Sequence, residues 1–192
     1  ALSVLESLLM DTDASPLKRK ILDSSLAQQA YSSLQIEQRE ASFSLILTGT
    51  NKTKEEIYKS LFRFLEEIEQ EGFQEKEVER VLHQLELQRK EIVRESSPFG
   101  LMLFWRSGLL KQQDIDPLSG LETECYFIEL HESIRQNPHY FRDLLSDALH
   151  HNPHMVLLHM KPSKTLQEKE AEEERNELKK RQEKLSITEK KA

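Results

Sequence analysis

Histidine is the residue type in this sequence with the most obvious capacity for metal chemistry, and the chain has seven. A catalytic zinc helix of the form H-E-x-x-H needs two imidazoles one turn apart and a carboxylate base between them. His131 begins this pattern, but Arg135 stands where the second imidazole is required. His83 begins the inverted form, H-x-x-E-H, which fails because Leu87 occupies its last position. The sequence therefore predicts no metal site at either place.

Four further histidines lie close together, at His150, His151, His154 and His159. Adjacent residues of a helix point about 100° apart, so the first two are not expected to face one ion. A histidine pair at the end of a helix is typical of side chains that cap carbonyl groups and complement the helix dipole. The last two lie on a predicted strand at a spacing that places them on opposite faces. We expect structural roles for all four.

Other catalytic constellations are absent from the sequence. No G-x-S-x-G, phosphate-binding loop or dinucleotide fingerprint occurs. Cys125 has no C-x-x-C partner and lies among apolar helical positions, so we expect a small core residue. Asp143 and Asp147 are four residues apart, a spacing that places both on one face of a helix, and such pairs usually face solvent. The residues alone thus indicate a non-catalytic domain.

The segment Phe99 to Leu110 carries the densest aromatic patch. Its length of about a dozen residues predicts a buried helix rather than a membrane span. Packing into the core is the favoured interpretation. The alternative is a wall that contacts peptide, for which the candidate lining residues are Phe99, Gly100, Leu101 and Trp105.

Composition narrows the classes of protein to which the chain can belong. Its 192 residues are 37% hydrophobic and 32% charged, with a net charge of -7. Excess negative charge disfavours general nucleic-acid binding. No apolar run approaches the roughly 18 residues of a membrane span, and one cysteine excludes a disulfide scaffold. We expect a soluble protein, cytoplasmic or in an organelle matrix, that binds neither nucleic acid nor membrane.

Apolar spacing predicts most of the helices. Leu2 to Leu9 form a helical stripe, and Ser15-Pro16 combines a capping hydroxyl with a first-turn proline. Thr53 and Glu56 form a capping box for a helix that ends at Gly72. Further helices are predicted from Gln74 onward, at Phe99 to Leu110, after Asp116-Pro117 and after Asn137-Pro138.

Three segments have the pattern of strands. Ala30 to Ile36 and Phe43 to Leu47 alternate in polarity and flank a polar turn, Glu37 to Glu40, which predicts an antiparallel hairpin. His154 to Met160 is a nearly continuous apolar run that predicts a buried strand in the same sheet. The expected fold class is α+β, with helices on one face of a small, mainly antiparallel sheet.

From Lys164 onward the chain becomes almost wholly polar, with nine basic and eight acidic residues. This composition predicts a solvated helical arm over Leu166 to Lys184 that projects from the body and frays past Leu185, with a disordered tail as the alternative. We expect two parts, residues 1–162 and residues 163–192.

Several motifs, taken in order, resemble a known family. They are "SPLKRKILDSSL" from Ser15, "EGF" from Glu71, "HQLELQRKE" from His83, "SSPFGLML" from Ser96, "QNPHYFRDLL" from Gln136 and "VLLHMKP" from Val156. Together they are similar to the second domain of the presequence-protease branch of the pitrilysin/insulinase zinc metallopeptidases. The resemblance covers essentially the whole chain.

The resemblance implies a peptidase in which paired α+β domains enclose unfolded peptides. It implies zinc in the parent protein, held by an H-x-x-E-H helix of another domain, and neither metal nor catalytic residues in this chain. The implied partners are the catalytic domain of the same polypeptide and peptide substrates. The charged arm resembles the start of the helical hairpin that links the two halves of such enzymes.

Two functions remain open at this point. One is a structural, chamber-wall domain of a zinc endopeptidase; the other is a stand-alone interaction module that binds a partner through its charged arm. The chain begins with Ala1, without a targeting segment, and the leading strand of the family domain is not recognisable. We therefore expect a processed or excised fragment.

Overall fold

The computed structural model describes residues 1–36, 40–90 and 98–184. They divide into two compact units, Ala1–Met155 and Val156–Ala192. Within the described residues there are helices and one antiparallel pair of strands, in this order: α1 (Leu2–Met10), α2 (Pro16–Asp23), β1 (Gln29–Gln35), β2 (Ser42–Thr48), α3 (Lys54–Glu71), α4 (Glu75–Lys90), α5 (Phe99–Gln112), a 3-10 helix (Pro117–Gly120), α6 (Glu124–Gln136), α7 (Tyr140–Leu145), a π-helical turn (Ser146–His150) and α8 (Leu166–Lys184).

Helices α1 and α2 begin and end where the sequence predicts, but the role expected for Ser15 was wrong. Ser15 is the residue that precedes α2, yet its hydroxyl makes no hydrogen bond to that helix. Instead, Ser15 Oγ accepts a hydrogen bond from the Thr12 backbone N–H at 3.1 Å. The hydroxyl therefore closes the turn before the helix, and Pro16 alone supplies the helix-start preference.

The capping box at the start of α3 is confirmed. Thr53 N–H donates to Glu56 Oε2 at 2.8 Å, and the Glu56 N–H donates to Thr53 Oγ1 at 3.3 Å. These bonds favour the carboxylate, so the backbone donor of Thr53, and then its hydroxyl, lower the pKa of Glu56. At the other end, α3 stops at Gly72, whose φ of 71° is a conformation that glycine adopts without strain.

The hairpin is also confirmed, although residues 37–39 of the predicted turn lie outside the described residues. Ala30 pairs with Leu47 and Leu34 pairs with Phe43, so apolar residues share one face. That face packs on the core, whereas Tyr31 lies on the other face with 50% of its surface exposed. Alternation along each strand thus sets which side is buried.

The core joins distant parts of the first unit. Helix α1 contacts α2, α4 and α7, and α2 contacts α3 and β1. The large side chains that are almost completely buried come from five helices. They are Leu5, Leu9, Leu17, Ile21, Ile68, Val81 and Leu145. Because these contacts connect residues far apart in the chain, the core forms only when the whole unit folds.

One inter-helix ion pair supports the packing of α2 on α3. Lys20 Nζ lies 2.8 Å from Glu67 Oε2 and 3.1 Å from Glu71 Oε1. The hydrogen bond from Lys20 lowers the pKa of Glu67, and the same bond raises the pKa of Lys20. All three side chains are partly solvated, so this pair orients α2 more than it stabilises the fold.

The prediction of a third strand was wrong. Residues 154–160 form no strand, and the sheet of the described residues contains β1 and β2 only. Val156 is 92% exposed and Met160 is 82% exposed. A strand requires a neighbour that satisfies its backbone groups, and an apolar run does not specify which segment that neighbour is.

The burial expected for α5 and for Cys125 was also wrong. No residue of α5 is buried, and Cys125 is exposed, with its thiol donating to the Glu122 carbonyl at 3.1 Å. Helix α6 buries only Leu130, and Cys125 lies five residues earlier, about 140° around the helix. The apolar spacing of the helix predicted from Gln74 onward includes Ile92, which lies outside the described residues.

The second unit contains α8, a helix of 19 residues whose described side chains are almost all exposed. Arg181 donates to Glu177 at 2.6 Å, which is the i,i+4 support that the sequence predicts. The predicted fraying past Leu185 lies outside the described residues, and the boundary at residue 162 stays a prediction. The fold class α+β is confirmed.

Replacing Leu9, which is fully excluded from solvent, tests the core. We expect Leu9→Ala to lower the free energy of unfolding by about 2–5 kcal/mol, since a cavity adds to the lost burial. The control is Leu87→Ala in α4, because Leu87 is 50% exposed, and its effect should stay within about 0.5 kcal/mol. Urea denaturation measures both; equal losses would contradict the assignment of the core.

Amide hydrogen exchange tests the difference between the two units. We expect amides of α8 to exchange much faster than those of α1, because α8 buries almost no apolar surface. Slow exchange in α8, comparable with that of α1, would show that the arm is held by contacts that its composition does not predict.

Candidate functional site

Helix α5 exposes several large apolar side chains. Apolar side chains surround the helix instead of forming one stripe, a pattern typical of helices that are covered on all sides. Three of them are open to solvent: Phe104 is 68% exposed, Trp105 is 52% exposed and Leu101 is 40% exposed, whereas the others are partly buried. This surface is a candidate for contact with another protein surface or with peptide.

The chain after α5 folds back against it. Asp114 has a φ of 58°, a left-handed conformation that reverses the chain at the end of a helix. The 3-10 helix that follows begins with Asp116, whose carboxylate accepts from the Leu118 N–H at 3.1 Å. Tyr126 Oη then donates to the Ser119 carbonyl at 3.3 Å. These local bonds fix the loop beside α5.

Gly120 allows the loop to approach α5 closely. A Cβ atom at this position would lie 2.6 Å from Leu110 Cδ1 and 3.1 Å from the Arg106 carbonyl oxygen. A larger residue would therefore push the loop away from the helix. Beside Gly120 is a cavity of about 290 Å³ with a mainly apolar lining that includes Val4, Leu85, Leu109, Leu110, Phe127 and Leu130, together with Arg89 and Arg106.

The four residues predicted to line a substrate cavity do not line this one. All four lie in the first half of α5: Phe99, Gly100, Leu101 and Trp105. The cavity is lined by residues from the second half of the same helix. Phe99 is partly buried and the other three are exposed. Their contact with peptide stays a prediction, because such a contact needs a surface opposite them.

A second cluster lies elsewhere in the unit, where α3 meets the π-helical turn. Glu69, His150 and His151 each offer one ligand atom, and these atoms lie within 4.8 Å of one another. His150 Nδ1 is 2.5 Å from Glu69 Oε2. The hydrogen bond from His150, and then that from Ser146, lower the pKa of Glu69.

The expectation that His150 and His151 point apart was wrong. Their rings stack, with centroids 4.3 Å apart and planes at 27°. The cause is the backbone: His151 N–H donates to the Ser146 carbonyl at 2.8 Å, five residues back, so the angles of a regular α-helix do not apply. Glu69 is 81 residues from His150 and carried no local signal in the sequence.

No helix among the described residues is both long and apolar enough to cross a lipid bilayer. The longest, α8, is almost entirely polar. Membrane crossing by a helix is therefore not a property of the described part of the chain.

The first part of the chain is similar to one protein family. Residues 1–85 match the model of the peptidase M16 inactive domain. The matched range extends from α1 to the middle of α4, so it covers the hairpin and most of the core helices. The match ends before α5.

Relatives extend the similarity to nearly the whole chain. The mitochondrial presequence protease of Danio rerio is 29% identical over 189 residues, which is 97% of this chain and 18% of the relative. The mitochondrial presequence protease of Mus musculus is 28% identical over 98% of this chain. Protein HypA of Clostridium perfringens is 25% identical over 93%. The chain thus spans about 18% of the length of these curated relatives.

A solved structure supports the fold. A Bordetella pertussis chain described as a zinc protease superposes with a TM-score of 0.52 and 15% identity, covering 77% of this chain and 75% of that one. At this identity the comparison concerns the arrangement of helices and strands only.

The exposure of α5 can be measured through Trp105, the one tryptophan of the chain. We expect fluorescence emission near that of a solvated indole and efficient quenching by acrylamide, because half of the side chain is exposed. N-acetyltryptophanamide provides the reference for full exposure. A blue-shifted emission with weak quenching would contradict the position of α5 described above.

Proposed function

We propose that this chain, whose residues 1–85 match the model of the peptidase M16 inactive domain, is a non-catalytic wall domain of a zinc endopeptidase that degrades unfolded peptides. Its role is to support the catalytic domain of the same polypeptide and to help confine the peptide. The presequence proteases related to it along nearly its whole length support this assignment.

The sequence supports a role without catalysis. A catalytic zinc needs three protein ligands, an open position for water and a carboxylate that accepts the proton from that water. The nearest patterns in these 192 residues supply one imidazole and then place Leu87 or Arg135 where the second belongs. The resemblance to the pitrilysin/insulinase zinc metallopeptidases implies that the zinc of the parent protein is held by an H-x-x-E-H helix in another domain.

The observation that carries the proposal is the exposed apolar surface of α5. A helix with apolar side chains on all sides is stable in water only when another surface covers it. Trp105 and Phe104 are more than half exposed in this chain. A catalytic domain of the same polypeptide, or peptide held between the domains, would provide that cover.

The predicted lining residues fit this arrangement. Phe99, Leu101 and Trp105 would present apolar side chains to peptide, and Gly100 would let the peptide backbone approach. Unfolded peptides expose apolar residues, which such a wall binds with little sequence preference. The charged helix α8 would begin the segment that links this domain to the next.

The proposal is tested by comparing this chain with a longer polypeptide that includes the upstream H-x-x-E-H domain. Both are incubated with zinc and an unfolded peptide, and cleavage is followed by mass spectrometry. We expect cleavage that a chelator abolishes in the longer protein and none by this chain. Leu101→Asp and Trp105→Asp in the longer protein should lower kcat/KM.

The matched control is Tyr31→Asp, which changes an aromatic residue that is also half exposed but belongs to strand β1 of the hairpin. Chelator-sensitive cleavage by this chain alone would overturn the proposal. Stable binding of an unrelated helix through α8, with no activity in the longer protein, would instead favour a stand-alone interaction module.

A further inference from the structure

We propose that Glu69, His150 and His151 form a binding site for a divalent transition-metal ion of the Zn²⁺ class. This goes beyond the wall-domain function, and it revises the expectation from the sequence that the chain holds no metal. The inference includes binding only and assigns no cleavage step to the ion.

The spacing of the ligand atoms suits such an ion. Zinc binds histidine nitrogen and carboxylate oxygen at about 2.0–2.2 Å, which places neighbouring ligand atoms of a tetrahedron about 3.4 Å apart. The three candidate atoms lie within 4.8 Å of one another, and Glu69 Oε2 is 2.5 Å from His150 Nδ1. An ion would replace the shared proton of that pair and separate the two atoms by roughly 1 Å.

The ligand types select among cations. Two imidazoles and one carboxylate suit zinc, copper or nickel, whereas calcium and magnesium prefer sites made wholly of oxygen. A glutamate carboxylate is ordinarily ionised at neutral pH, so the ion would meet a charged oxygen ligand.

The surroundings hold the ligands and still admit an ion. The side chains of His150 and Glu69 are 15% and 26% exposed, and His151 is exposed. The cleft is also lined by Glu66 and Asp147, which could supply a further oxygen. Arg142 lies in the same cleft, but its guanidinium pairs with Asp143 at 3.0 Å, which reduces its repulsion of a cation.

The π-helical turn supplies an independent geometric argument. The Glu69–His150 bond connects α3 to the π-helical turn, and His151 takes no part in that bond. Yet the i,i+5 bond to Ser146 brings the His151 ring onto His150, beside the carboxylate. Stacking two imidazoles that carry charge is unfavourable, whereas two neutral imidazoles can share one ion.

The test uses the whole 192-residue chain, freed of metal with a chelator and titrated with ZnCl₂ in a calorimeter. We expect one saturable site and a higher Tm in the presence of zinc. His151→Ala and Glu69→Gln should each weaken binding at least about tenfold. The glutamine variant keeps a hydrogen-bond acceptor for His150, and the control His154→Ala, another exposed histidine, should bind as the original chain does.

Circular dichroism checks that each variant is folded, and His151→Asn provides a second replacement if the alanine variant is not. Absence of saturable binding at millimolar zinc would overturn the proposal. Equal affinity in His151→Ala and His154→Ala would do so as well, because it would indicate weak association with surface histidines. These results are independent of peptide cleavage, so they leave the proposed function untouched.

Discussion

Burial of α1 against helices that lie far away in the chain is the constraint on which the rest of the structure depends. Leu9 of α1 and Ile21 of α2 are completely excluded from solvent, as is Leu145 of α7, more than a hundred residues later. Each such side chain contributes about 1.5–3 kcal/mol by burial. Because α7 ends in the π-helical turn, the same packing places His150 beside Glu69.

The second feature of the chain is the apolar surface that it leaves uncovered. Helix α5 and residues 156–160 carry apolar side chains that are largely exposed, and each belongs to a different unit. Natural domains seldom leave such surfaces open unless another chain or domain covers them. The chain aligns with 18% of the Danio rerio presequence protease, and under the proposed function other parts of such a protein would cover these surfaces.

Local patterns predicted the elements that depend on local physics. The capping box of Thr53, the stop at Gly72 and the alternation in β1 each follow from bonds or side-chain directions within a few residues. The wrong predictions all concern burial. Met160, α5 and Cys125 are apolar or small, but whether they are buried depends on which other surface packs on them, and composition does not specify that surface. The cluster of Glu69 with His151 was missed because it needs an irregular turn and a contact across 82 positions.

The central claim is that α5 is a surface that becomes covered in the longer polypeptide, by the companion domain or by peptide held between the domains. Amide hydrogen exchange of residues 99–112, measured in this chain alone and in the longer polypeptide with its H-x-x-E-H domain, tests it most directly. The account predicts that protection of α5 rises strongly in the longer protein while that of α1 changes little, because α1 is already buried here. Equal exchange of α5 in both proteins would contradict it.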